Sequence, residues 1–370
     1  MTKSVLIALS LAALFGAAPH GQAPPPKNPY QKLAQPWPEP HEMRQRKAEA
    51  EALELFSAEE PLAFTLAADF RTVNKDRNPN SRKQYPAQLT IAGDGSRTFS
   101  VQLNARGHVR RMARTCDYVP LKIAFQDDQV AGTIFDNQDA LKLVVQCRGA
   151  GNFEDYVLRE YLAYRVLNTL TPHSFRARLA KVTYTDAAAR PLGSRYGILL
   201  EDDSDVAKRM EGRTIEIPRV LFKDVDAATL DAMMLFEYMI GSTDFSIYAV
   251  HNVVLVQKPD RSVYPVPYDF DMAGLVSPPY AIPAPRLGIA TVKERLYRGP
   301  CRTMDEWEAA VTHFRAQKDK ILALPDTIPD LKKDSRVDAR NYLSDFYDSI
   351  KDQKDVKRVL VEACQKAPTM

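Results

Sequence analysis

Between Pro61 and Cys147 the sequence breaks into short runs in which apolar and polar residues alternate: LAFTLAADF, AQLTIA, TFSVQLNA, PLKIAF and LKLVVQC. A period of two puts every apolar side chain of a run on one face, so each run reads as a half-buried strand and not as a helix. Gly93-Asp94-Gly95 supplies a hairpin turn between the second and third runs. The stretch predicts an antiparallel sheet of about five strands. From Asn152, a residue type suited to a helix N-cap, to about Leu170 the apolar period becomes three and four. Two more strands follow in RARLAKVTYTD and RYGILLED. After Glu201 the pattern is mostly helical: DAATLDAMMLFEYMI ends at Gly241, a C-cap residue, and further helices are expected over about 304–323 and 336–365. Ahead of the sheet, HEMRQRKAEAEALELF reads as an exposed helix. The predicted class is α+β.

One segment inside the helical half keeps strand character. Residues 241–276 read GSTDFSIYAVHNVVLVQKPDRSVYPVPYDFDMAGLV, with strands expected at Val253–Gln257 and Val263–Tyr268 about a turn at Pro259-Asp260. Antiparallel pairing brings Asn252 beside Asp269, with Cβ atoms about 5 Å apart. An amide oxygen and a carboxylate at that distance suit a hard cation such as Mg²⁺, which takes oxygen ligands and shares its coordination with phosphates. Asp244 stays in the preceding loop, free to act on a hydroxyl. Alternation turns His251 away from Asn252, which makes it a neighbour and not a ligand.

The helix after Cys147 carries Phe153, Val157, Tyr164 and Leu167 on one stripe, and Glu160 shares that stripe. A carboxylate facing inward needs a cationic partner. Lys142 on the strand directly before the helix and Lys122 on the strand before that are both candidates. In RGHVRRMAR, Arg106, His108, Arg110, Arg111 and Arg114 form a local basic turn that suits an anion.

The formal charge is +3, from 50 basic and 47 acidic side chains, so no global field points to nucleic acid or an anionic membrane. An early Lys3 and an apolar run from Val5 to Ala18, too short to span a bilayer, fit a secretory signal over 1–23. The expected location is exported, periplasmic or extracellular, with no transmembrane segment in the mature chain. Residues 24–56 read as a Pro/Ala-rich tether and the exposed helix. The four cysteines then lie where disulfides persist. Cys116 precedes one strand and Cys147 ends the next, which favours that pair and leaves Cys301 with Cys364.

As an ordered set, RGHVRR, PLKIAF, LREYLAYRVLNTL, YGILLEDD, GSTDFSIYAVHN and PYDFDMAGL resemble the spore-coat-protein-H (CotH) family of secreted atypical protein kinases, over about residues 100 to 276. The resemblance implies a protein-kinase-like two-lobed fold: an antiparallel β-sheet N-lobe with one packed helix over 57–201, and a mainly α-helical C-lobe over 202–370 holding the hairpin. It implies Asp244 as the residue that orients or deprotonates the acceptor, Asn252 and Asp269 as metal ligands with Asp271 as a second carboxylate, and Arg106, Lys122 or Lys142, and Glu160 at the nucleotide. The cofactor implied is Mg or Mn with ATP. The chain departs from the kinase pattern in placing Asp244 and Asn252 eight residues apart and in lacking a Gly-rich phosphate loop. Three functions follow: an exported phosphotransferase acting on a protein or other hydroxyl-bearing acceptor, a catalytically inactive envelope or secreted binding scaffold, and a metal-dependent hydrolase using the same carboxylates.

Overall fold

The structure is a computed structural model that describes residues 30, 32–91, 97–149 and 151–364. The expected signal segment, most of the tether and the turn at Gly93–Gly95 lie outside the described residues.

Each alternating run forms a strand: β1 Leu62–Ala68, β2 Tyr85–Ile91, β3 Arg97–Ala105, β4 Leu121–Ala124, β5 Ala140–Val144, β6 Ala177–Thr185 and β7 Pro191–Leu200. Their association overturns the two-lobed kinase-like expectation with its open antiparallel sheet. All seven close into one barrel, in the order β1-β2-β3-β4-β5-β7-β6. The reason lies in β6. It pairs antiparallel with β7 along one edge and lays its other edge parallel against β1, from Leu62↔Ala180 to Ala67↔Thr185. Closure leaves no unpaired edge strand. The inward faces of the alternating strands then fill the interior: Phe64, Leu66, Leu103, Ile123, Leu141 and Leu143 are buried, each contributing about 2 kcal/mol by burial.

The outer faces of β6 and β7 are apolar in part as well, although Arg178, Lys181 and Arg195 interrupt the two strands and the first half of β7 is largely exposed. Leu179, Ile198 and Leu200 belong to a second core shared with the helical half. Helix Phe153–Leu170 packs on β6 and β7 and against helix Lys318–Thr327. Lying between barrel and helices, it is buried on most of its surface, which is why Glu160 finds no solvent. Asn152 occupies the N-cap position of this helix without capping it; its side chain accepts from Lys332 instead.

The helical half holds a small sheet in the order β10-β9-β8, from β8 Arg213–Ile215, β9 Val253–Gln257 and β10 Val263–Pro267. Helix Ala227–Ile240 ends at Gly241 in the left-handed region, φ 67. The helix expected over 304–323 divides at Gln317 into Met304–Ala316 and Lys318–Thr327. The one expected over 336–365 runs as Lys333–Ser349 and restarts at Gln353, where the Asp352 side chain accepts from the Asp355 N–H. Disulfides join Cys116 to Cys147 and Cys301 to Cys364, with Cα–Cα distances of 4.6 and 4.8 Å, which fits an exported protein. Among the described residues no helix is long and apolar enough to cross a membrane.

Candidate functional site

Gly241 turns the chain out of helix Ala227–Ile240 and starts the loop that carries Asp244. Arg298 fixes the backbone of that loop by donating to the carbonyls of Thr243 and Phe245. Ser246 and His251 then exchange both backbone hydrogen bonds at 2.9 Å, closing a tight turn with Val250 at φ 49. The turn folds His251 back so that its Nε2 lies 3.1 Å from Asp244 Oδ1. Asn252 follows at φ 53, and its Nδ2 donates to the Asp244 carbonyl at 2.7 Å and to Oδ2 at 3.2 Å. Asp244 is therefore gripped from both sides. His251 takes part in the site, contrary to the expectation from alternation, because two left-handed residues flank it and break the strand period. The hydrogen bond to Asp244 raises its pKa above the ordinary histidine value against the opposing effect of burial.

The hairpin register places Val253 opposite Pro267, and the Tyr268 N–H donates to the Asn252 carbonyl at 3.0 Å. The ladder partner of Asn252 is thus Tyr268, one residue short of Asp269. Asp269 leaves the strand at φ 65, and its N–H donates to the Tyr164 hydroxyl on helix Phe153–Leu170 at 2.9 Å. Left-handed backbone is strained for any residue with a Cβ, and Asn and Asp bear it best. Both ends of the hairpin carry one of them. Phe270 anchors the turn against Tyr164 and Phe236, with ring centroids 4.7 and 5.2 Å away.

Asp269 and Asp271 have different surroundings. Asp271 is buried; it accepts from the Tyr280 hydroxyl at 3.0 Å and lies 3.8 Å from Arg110 Nε. Burial first and the Asp269 charge second push its pKa up to about 7, against the pull of Arg110. The Asp269 carboxylate is half-buried and makes no hydrogen bond or ion pair with the described residues. Of the two, Asp269 has its oxygens free for a ligand.

Glu160 is 2% exposed, and its partner is neither of the candidate lysines. Arg110, from the short turn Val109–Arg111, reaches Glu160 Oε2 at 3.8 Å and donates to the Val145 carbonyl. The sequence places Arg110 in the basic turn with Arg106 but does not show that it turns inward to Glu160, or that Arg111 beside it is buried too, on Asp76 at 2.7 Å. Burial works against the charge of Arg110, yet Tyr280, Asp271 and Glu160 around it hold its pKa above the ordinary value. Burial and Asp271 together raise the pKa of Glu160 well above the usual carboxylate range, and its Oε1 has no hydrogen-bond partner.

Lys122 and Lys142 face each other across β4 and β5. Lys122 is exposed and touches none of the site. Lys142 is ion-paired with Asp203 and sits over the rings of Phe175 and Tyr268, 5.2 and 4.9 Å from their centroids. Burial lowers its pKa, opposed by Asp203. Arg106 is half-buried, and its guanidinium makes no hydrogen bond or ion pair with the described residues, although its charge acts on Lys142, Glu160, Tyr164 and Tyr268.

No group of three or more His, Cys, Asp or Glu side chains among the described residues is arranged to hold a metal ion. What the site offers is smaller: the free Asp269 carboxylate and the Asn252 Oδ1, which is left without a donor because Nδ2 is turned to Asp244. An all-oxygen pair of this kind fits Mg²⁺ or Mn²⁺, which complete their shells with water or phosphate.

No family model matches the chain, and no curated protein matches it.

Proposed function

We propose that the protein is an exported phosphotransferase that moves a phosphoryl group from a nucleoside triphosphate such as ATP to a hydroxyl on a protein or other acceptor in the periplasm or outside the cell. The observation that carries this reading is a set of groups left unengaged among the described residues: the carboxylate of Asp269 and the amide oxygen of Asn252 at the two ends of one hairpin, and the guanidinium of Arg106, whose charge acts on Tyr268 of the same hairpin. Asn252 and Asp269 would hold Mg²⁺ or Mn²⁺, which supplies charge neutralisation for the phosphates. Arg106 meets phosphate oxygens. Asp244, oriented by His251 and Asn252, accepts the proton of the acceptor hydroxyl as its oxygen bonds to phosphorus and the nucleoside diphosphate departs. The ordered motifs that resemble the CotH family support the same assignment of roles.

A second reading, a binding scaffold without transfer, is favoured by one specific observation. Lys142 is already engaged by Asp203 and two aromatic rings, so it is not free for a phosphate.

Calorimetric titration of ATP with MnCl₂, together with transfer of labelled phosphate to the protein itself or a generic acceptor, separates the two. Asp269→Asn is expected to abolish metal-dependent nucleotide binding. Asp244→Asn is expected to keep binding and to lower transfer by about 10²- to 10⁴-fold. Binding without transfer in the unaltered protein selects the scaffold reading, and absence of nucleotide binding defeats the phosphotransferase.

A further inference from the structure

A second concavity shares no lining residue with the hairpin site. Its walls are Phe70, Tyr118, Leu121, Val145, Tyr184 and Leu192; the space they border is about 540 Å³ when counted out into open solvent, of which a cavity of only about 70 Å³ is available to a water-sized group. Leu121 and Val145 belong to the barrel interior, so the floor of the pocket is continuous with that core. Phe70 and Tyr184 meet edge to face at 5.2 Å and form one side. At the rim, Leu192 and Tyr118 are 53% and 37% exposed, which leaves apolar surface at the mouth for a ligand to cover.

Three polar residues interrupt this wall: Asn74, Gln146 and Arg195. Asn74 is committed to the structure, since its Oδ1 accepts from the Val119 N–H at 3.0 Å. Gln146 is 5% exposed, and its side-chain amide makes no hydrogen bond with the described residues. That amide keeps some contact with solvent, so a polar atom brought in by a ligand would take the place of water there. Among the described residues, the one side-chain hydrogen bond of Arg195 goes to the carbonyl of its neighbour Ser194, at 2.7 Å. The rest of its fork has no partner, and a guanidinium fork matches a carboxylate.

We infer that this pocket binds a small phenolic carboxylate, with the ring between Phe70, Tyr118 and Tyr184, the carboxylate on Arg195 and the phenol hydroxyl on Gln146. Each feature of the ligand answers one feature of the wall. Aromatic side chains pack a flat ring edge-on or offset, an apolar pocket with few convergent polar groups is a typical small-molecule site, and these two polar side chains set the ligand's orientation.

The test is calorimetry on the full protein with para-hydroxyphenylacetate. Phenylacetate, which lacks the hydroxyl, and tyrosol, which lacks the charge, serve as comparison compounds. The phenolic acid should bind one per chain, and each comparison compound should bind about tenfold more weakly, the loss of one good hydrogen bond. Arg195→Gln should erase the contrast between the acid and tyrosol while keeping the contrast between the two acids. Gln146→Leu should do the reverse. The series on the unaltered protein does not depend on how either variant folds. No binding of the phenolic acid, equal affinity for the three compounds, or contrasts that neither substitution moves overturns the inference.

Discussion

Replacing Arg110 by Met removes the guanidinium that stands between two buried carboxylates and keeps a side chain of similar length. Arg110 lies 3.8 Å from both Glu160 and Asp271. At that separation each attraction is about 4 kcal/mol for an effective dielectric of about 20. The sum overstates the loss, because the variant no longer has to strip water from a guanidinium. What remains is Glu160 with an unpartnered Oε1, and Asp271 beside the Asp269 charge. Breaking a buried pair by deleting one partner costs about 3–5 kcal/mol, and that loss is expected at about pH 8. The two carboxyls can escape by taking protons. Asp271 already sits at about 7 with Arg110 present, above its unfolded value of 3.8. A raised folded pKa means that the folded variant binds more protons than the unfolded chain, so its stability recovers as pH falls, by about 1.4 kcal/mol per unit for each proton taken up. Urea unfolding followed by circular dichroism, with disulfides intact, at about pH 8 and about pH 5.5 measures both quantities. A loss below about 1 kcal/mol at the higher pH, or a loss independent of pH, would show that Arg110 is not the countercharge of this cluster.

Glu237 is 2% exposed, and burial raises its carboxyl to about 8, only partly opposed by a hydrogen bond with Ser242. Its folded pKa exceeds the unfolded 4.5, so the stability tied to its protonation is full below about 4.5 and is lost as pH rises from there to about 8. Between about pH 5 and pH 8 the stability of Glu237→Gln should therefore fall less steeply than that of the unaltered protein, by on the order of 1 kcal/mol per pH unit, and parallel curves over that range refute the assignment. A Cβ on Gly241 would lie 2.0 Å from the Tyr342 hydroxyl at φ +67, whereas Gly288 at φ +69 has nothing within 4 Å. Gly241→Ala should lose more than about 1 kcal/mol, and more than Gly288→Ala; equal thermal shifts would discount the steric clash. Changing Cys301 and Cys364 together to Ser opens a cross-link with a sequence separation of 63, which should cost about 4 kcal/mol in chain entropy, read by denaturant midpoint against the disulfide-intact parent; equal midpoints refute it.

The strands of the barrel were legible because each has one buried face, and a period of two survives in β1 as LAFTLAA. Helix Ala227–Ile240 was legible to its last residue through Gly241, and the Cys116–Cys147 disulfide followed from where those cysteines flank the strands, with Cys301–Cys364 as the remaining pair. The closure of the barrel was not. A parallel pairing between Leu62 and Ala180 depends on two edges meeting after everything between them has folded, and no local pattern records it. β8 was missed because three residues are too few to show a period. At the site, Asp244, Asn252 and Asp269 stood out as polar residues bracketing an apolar hairpin, and Glu160 as a carboxylate on an apolar stripe. Its partner was misread because Lys122 faces solvent and Lys142 is taken by Asp203, while Arg110 enters from a turn whose backbone path the sequence does not specify. The three-dimensional role of His251 was hidden for the same reason: alternation fails where Val250 and Asn252 take φ 49 and 53.

The seam between β1 and β6 also orders events in time. As the chain is made, β1 emerges first and pairs with β2, while the backbone from Leu62 to Ala67 waits for a neighbour encoded more than a hundred residues later. At about 5–20 residues per second that wait lasts on the order of ten seconds. An open strand edge is a template for any other extended segment, including the same edge of a second nascent chain. Once β6 arrives, Arg178 reaches across the seam and donates to the carbonyls of Leu55 and Glu60, latching the segment that leads into β1. A fragment that stops short of Ala177 never acquires that neighbour or that latch, and its first strand stays available for self-association.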